Sequence, residues 1–209
     1  KRLRDAEINY KHAILSRPGF TEVYNNLGLV LGALSKPCEA EQSYKRAILL
    51  KPDYAEVYNN MGISLKAFQR LDEAEFSYSK AIISNPEYAE VYNNFGSILK
   101  ERSSSEETRD SYRRSIILKP DYAEAYSNLA ISVYTVDNLD RAIWCLTNAI
   151  ILNPDFLEAR INLNTVSNSA VPAWHLAMMN DNVRNSSYFK AIERAIDKGD
   201  LILDIGTGS

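Results

Sequence analysis

The chain alternates stretches whose apolar residues fall three and four apart with polar breaks that carry proline. AEVYNNMGISLKAF and LDEAEFSYSKAIISN are two such stretches, and each reads as an amphipathic helix. The breaks recur at a fixed distance. Pro18, Pro52, Pro86, Pro120 and Pro154 follow one another every 34 residues, inside the related words RPGFTEVYNNLG, KPDYAEVYNNMG, NPEYAEVYNNFG, KPDYAEAYSNLA and NPDFLEARINLN. A unit of two amphipathic helices cannot bury its apolar face alone, so the period predicts stacked helix pairs sharing one continuous core.

Counting each unit from Thr21, Ala55, Ala89 and Ala123 gives a common register. Tyr24, Tyr58, Tyr92 and Tyr126 hold the fourth position, and Leu27, Met61, Phe95 and Leu129 the seventh. Gly28, Gly62, Gly96 and Ala130 hold the eighth; Ala40, Ala74, Thr108 and Ala142 the twentieth; Ala47, Ala81, Ser115 and Ala149 the twenty-seventh. Small residues at these three positions predict a close crossing of the two helices, with the small eighth residue facing the twentieth and twenty-seventh. Proline stops the second helix. Asp53, Glu87, Asp121 and Asp155 follow it and are expected to accept the free N–H groups of the next helix.

In these residue types at these offsets the chain resembles the tetratricopeptide-repeat family. The resemblance implies an all-α fold, a right-handed superhelix of antiparallel helix pairs (an α-solenoid). Residues 1–20 then read as the second helix of a truncated repeat, with Ala6, Tyr10, Ala13 and Pro18 in register. Complete repeats are expected at 21–54, 55–88, 89–122 and 123–156, and a terminal helix at 157–168. The third repeat is expected to be the weakest, since ERSSSEET forms its turn and Thr108 and Ser115 replace alanine.

In such a stack the first helices line the concave face. Asn26, Asn60, Asn94, Asn128 and Asn162 hold the sixth position, preceded in three repeats by Asn25, Asn59 and Asn93. A side-chain amide offers a donor and an acceptor, which match the backbone of an extended peptide. The row resembles the asparagine ladder of the O-GlcNAc transferase repeats. The same residues could instead tie neighbouring helices together or face solvent. Glu22, Glu56, Glu90, Glu124 and Glu158 recur at the second position and would give the groove an acidic edge that favours a Lys- or Arg-rich ligand. Acidic residues in a first helical turn also stabilise the helix wherever it lies. The clamp that some such repeats use for a chaperone carboxylate needs Lys at the fifth position and Asn at the ninth. Here the fifth is Asn or Ser and the ninth is Leu29, Ile63, Ser97 or Ile131, so that clamp is not expected.

Composition narrows the partners. The 209 residues are 45% hydrophobic and 24% charged with a formal net charge of −3, which gives no footprint for nucleic acid. No apolar run approaches the roughly 18 residues of a membrane span. Cys38 and Cys145, without metal-ligand spacing, read as reduced core residues of an intracellular protein, cytoplasmic or nuclear. The chain starts without Met and stops on a glycine-rich run, so it reads as a piece of something longer.

The last stretch changes character. After SNSAVP comes WHLAMMNDNVRNSSYFKAIERAIDKGDLILDIGTGS, which reads as a helix, a buried strand at 201–205 and a glycine loop. The string resembles the start of the S-adenosylmethionine domain of the protein arginine methyltransferase family, through His175, Met178, Arg184, Tyr188, Ala191-Ile192 and DIGTGS. Residues 169–209 would then be a linker and the incomplete, truncated start of an α/β methyltransferase domain. The resemblance implies that Met178 packs on the cofactor, that His175 and Arg184 engage its carboxylate region, and that Asp204, Gly206 and Gly208 shape the loop. The acidic ribose contact and the paired glutamates of that family lie nowhere in the chain. It is therefore expected to bind no cofactor and to transfer no methyl group by itself. Three roles stay open: a module recruiting protein substrates or partners for a methyltransferase that continues beyond Ser209, structural support for that enzyme, and a free-standing adaptor.

Overall fold

The computed structural model describes residues 2–102, 105–134 and 138–170. Among these are ten helices and no strand: α1 (Arg2–Ser16), α2 (Thr21–Ala33), α3 (Pro37–Leu50), α4 (Ala55–Ala67), α5 (Leu71–Ser84), α6 (Ala89–Glu101), α7 (Ser105–Leu118), α8 (Ala123–Val133), α9 (Leu139–Leu152) and α10 (Leu157–Ala170). By contact the chain divides into Lys1–Leu163 and Asn164–Ser209, and the helix pairs belong to the first unit. The strand expected at 201–205 lies outside the described residues. The terminal helix runs to Ala170, two residues beyond its expected end.

Within the first unit α2 packs along α3, α4 along α5, α6 along α7 and α8 along α9, and α1, α3, α5 and α7 each also pack on the first helix that follows. The twentieth and twenty-seventh positions sit at the crossings: Ala40, Ala47, Ala74, Ala81, Ala142 and Ala149 are fully buried. In α7 the equivalent Thr108 and Ser115 are buried too, and the Ser115 hydroxyl is satisfied by donating to the Ala89 carbonyl at 2.8 Å.

Two expectations about packing need correction. The eighth-position glycine does not chiefly face the small residues. It makes room for the tyrosine ring at the twenty-fourth position, because a Cβ on Gly28, Gly62 or Gly96 would lie 2.4, 2.6 or 2.8 Å from Cε1 of Tyr44, Tyr78 or Tyr112. Those three rings are the largest fully buried side chains. The first helices are also not capped by Asp53 or Asp121. Phe20, Tyr54, Tyr88 and Tyr122 are the N-cap residues, and none makes a side-chain cap bond. Instead the carbonyls of these four accept from the N–H groups of Val23, Val57, Val91 and Ala125 at 3.0–3.2 Å. Of the two thiols only Cys145 belongs to the core; Cys38 is exposed.

Candidate functional site

The first helices of successive pairs touch directly, α2 with α4, α4 with α6 and α6 with α8, more closely than the second helices touch each other. The first-helix side is therefore the shorter path around the stack, and its helices form the inner wall.

Asparagine knits this wall. Asn60 Nδ2 donates to Asn25 Oδ1 at 3.0 Å, Asn94 to Asn59 at 2.9 Å, and Asn128 to Asn93 at 2.9 Å. Each sixth-position amide thus reaches back to the fifth-position amide of the preceding first helix. The fifth-position residues Asn25, Asn59 and Asn93 are buried, and the amides of Asn25 and Asn93 reach further. Asn25 Nδ2 donates to Glu56 Oε1 at 3.0 Å, and Asn93 Nδ2 to the Tyr122 hydroxyl at 3.4 Å. At its C-terminal side the row is interrupted, because Ser127 replaces Asn at the fifth position before Asn162. An amide nitrogen carries two hydrogens, so one N–H and the carbonyl oxygen of Asn60, Asn94 and Asn128 stay uncommitted to this relay. The interhelical bond holds each of the three in one orientation.

Beside the amides lie apolar residues that sequence reasoning considered only in connection with the carboxylate clamp. Leu29 and Ile63, both ninth-position, are exposed. They border a cavity of about 180 Å³ between α2 and α4, with Gly32, Asn60 and Ala67 in its lining. Their signal was present in the sequence as an apolar residue on the polar face of the first helix.

The acidic positions are less uniform than their spacing suggests. Glu22, Glu56, Glu124 and Glu158 are exposed, whereas Glu90 is half-buried and its Oε1 lies 2.6 Å from Lys119 Nζ. Burial alone would raise the Glu90 carboxyl, but the Lys119 hydrogen bond and its own backbone N–H outweigh it and hold the group below its usual range. Tyr88 is pushed above its usual range by burial, with Glu56 and Glu90 adding to the effect; burial does the same to Tyr122, with Glu124 and Glu90. Glutamate and tyrosine therefore alternate along this edge. Lys119 Nζ also lies 5.0 Å from the centroid of the Tyr122 ring, and Lys51 Nζ 4.8 Å from that of Tyr54. The edge is a place where cations settle.

His175, Met178, Arg184, Asp204, Gly206 and Gly208 lie outside the described residues. Among the described ones no three His, Cys, Asp or Glu side chains gather as a metal site, and no helix is long and apolar enough to cross a membrane.

A helix-pair stack with this 34-residue register is a tetratricopeptide-repeat solenoid, and the tetratricopeptide-repeat family model matches residues 21–54 and 55–88. The chain carries such repeats. Its fold is similar to that of a thermophilic tetratricopeptide-repeat protein of Thermus thermophilus (20% identity, TM-score 0.66, covering 79% of this chain and 90% of that one). It is also similar to that of YrrB, a tetratricopeptide-repeat protein described as having an unusual peptide-binding site (20% identity, TM-score 0.59, 76% and 81%). In sequence, 39 residues are 54% identical to an arginine N(omega)-methyltransferase of Streptomyces achromogenes subsp. streptozoticus. That match spans 19% of this chain and 11% of the relative.

Proposed function

We propose that the repeats are a protein-interaction module that holds an extended polypeptide along the inner wall. The observation that carries this reading is the asparagine relay, which sets Asn60, Asn94 and Asn128 in one orientation on three successive first helices. Helices about 10 Å apart present one amide for roughly every three residues of extended chain at about 3.3 Å each. A ligand backbone can satisfy such a ladder whatever its sequence. Leu29 and Ile63 add an apolar lip, and the glutamate–tyrosine edge favours Lys or Arg side chains. Lys119, seated on Glu90 and Tyr122, is the internal precedent for such a cation.

The ligand would be substrate or partner for a protein arginine methyltransferase of which this chain is the N-terminal part. The 39-residue likeness to an arginine N(omega)-methyltransferase supports that reading, together with the His175, Met178, Arg184 and DIGTGS pattern. By resemblance alone, those residues with Asp204, Gly206 and Gly208 would hold S-adenosylmethionine, which supplies the methyl group. An acidic edge that favours guanidinium fits delivery of arginine.

The test is fluorescence anisotropy with extended Arg-rich and neutral peptides against the chain and its Asn60→Ala/Asn94→Ala/Asn128→Ala variant. Binding should fall by about tenfold or more in the variant, and the Arg-rich peptides should bind tighter at low salt. Unchanged binding would leave the amides a purely structural role.

A further inference from the structure

The second helices carry a feature for which the groove has no use. At the twenty-ninth position every pair places an aliphatic side chain in solvent: Leu15, Leu49, Ile83, Ile117 and Ile151. Their exposure runs from 68% at Ile117 to 78% at Leu15, and they are the five most exposed large apolar residues among those described. Seven positions earlier, on the same helix face, Ile8, Phe76 and Trp144 are exposed in alternate pairs. Single exposed apolar residues need no explanation, but a row in strict register across five helices marks a contact surface.

Charge gives the row a direction. Between the two apolar positions the twenty-sixth holds Arg46, Lys80 and Arg114, with His12 and Asn148 at the ends. None of the three cations makes an ion pair among the described residues; Lys80 Nζ rests 5.3 Å from the Phe76 ring centroid. On the other side of the row, in the turns, Asp53, Glu87, Asp121 and Asp155 are exposed. The face is thus banded as cation, aliphatic, acid. Clefts between neighbouring second helices open onto it. One of about 460 Å³ between α5 and α7 is lined by Ile83, Tyr92, Phe95, Arg114 and Asp110, the last already paired with Arg113. Another of about 250 Å³ between α1 and α3 is lined by Tyr24, Leu27 and Arg46.

We infer that this outer face docks an amphipathic helix of a partner protein, one with a large apolar residue in each heptad and Asp or Glu along the edge that meets Arg46, Lys80 and Arg114. The spacing selects a helix laid across the second helices. Neighbouring second helices stand at least as far apart as the roughly 10 Å of directly packed helices, and seven residues of α-helix rise about 10.5 Å, so one repeat takes at least one partner heptad. The whole row, four intervals long, asks for a helix of at least roughly 27 residues.

The experiment uses the full 209-residue chain and a designed helical peptide of about 28 residues with Leu once per heptad and a Glu edge, beside the same peptide with a Lys edge. The Glu-edged peptide should bind, and Leu49→Glu/Ile83→Glu/Ile117→Glu should weaken it by about tenfold or more, with circular dichroism confirming intact helix. Arg46→Glu/Lys80→Glu/Arg114→Glu should reverse the preference in favour of the Lys-edged peptide. The Asn60→Ala/Asn94→Ala/Asn128→Ala variant should bind the Glu-edged peptide as before, which separates this face from the groove. Absence of binding, equal binding by the Leu/Ile→Glu variant, or no reversal with charge would overturn the inference. So would sedimentation equilibrium showing a dimer that the Leu/Ile→Glu variant dissolves.

Discussion

Gly62 and Tyr78 belong together as a lock of two residues. The ring is buried on all sides, so a Cβ placed 2.6 Å from it has nowhere to push. Overpacking of this kind costs about 1–3 kcal/mol, partly offset by about 1 kcal/mol of better helix propensity for alanine. Gly62→Ala should therefore lower stability by up to about 2 kcal/mol in urea unfolding. The fourth pair already contains the compensated version: Ala130 stands at the eighth position and Leu146 at the twenty-fourth, both fully buried. Tyr78→Leu alone should cost about 2 kcal/mol through its cavity. Gly62→Ala/Tyr78→Leu should cost less than the sum of the single changes by about 1 kcal/mol or more, and strict additivity would reject the lock. Tyr112 shows the other side of such burial: its phenol is pushed up to about 12 by loss of solvent, with Glu101 adding to it.

Within elements, the turns and ion pairs decide how each pair closes. Ser35 and Gln69 end the first helices of two pairs with φ of 58° and 60°, in the left-handed region. Lys36 N–H donates to Leu31 O at 2.9 Å, and Arg70 N–H to Leu65 O at 3.0 Å, closing both turns. A residue with a Cβ is strained there, so Gln69→Gly should raise stability by about 0.5–1 kcal/mol in the same unfolding assay. From the next turn Arg70 donates to Glu41 of α3 and to Glu73 of its own helix. Arg70 first and Lys45 second hold the Glu41 carboxyl below its ordinary value of 4.5. A depressed folded value means that the unfolded chain takes up the proton first as pH falls. The contribution is then complete above about 4.5 and lost below it, as pH drops through the folded value. Stability measured from neutral pH down to about pH 3 should be flat and then fall, and Glu41→Gln should soften the fall. At neutral pH that variant should lose about 1 kcal/mol or less, because Arg70 is partly exposed and screened by solvent.

Across the whole stack each pair contacts only its neighbours, so stability is close to a sum over pairs and interfaces, and the poorest pair opens first. That pair is α6–α7, where Thr108 and Ser115 stand in for alanine and the buried Tyr112 hydroxyl has no hydrogen-bond partner among the described residues. Hydrogen exchange should reach α7 before α3 or α5, and earlier exchange in either of those would reject this ranking. The helix pairs were legible in the sequence because their determinants are local. A proline just after a second helix stops it whatever lies alongside, and apolar spacing of three and four fixes a buried face before any neighbour is present. The exposed row at Leu15, Leu49, Ile83, Ile117 and Ile151 is equally periodic, but periodicity alone does not tell an aliphatic residue that faces the core from one that faces solvent. What only the tertiary structure decided was which side chains meet. That Gly62 meets Tyr78 depends on how the two helices of one pair cross, and that Asn60 reaches back to Asn25 depends on the rotation and tilt between successive pairs. Those angles arise from the packing of several pairs at once, and no single 34-residue unit encodes them.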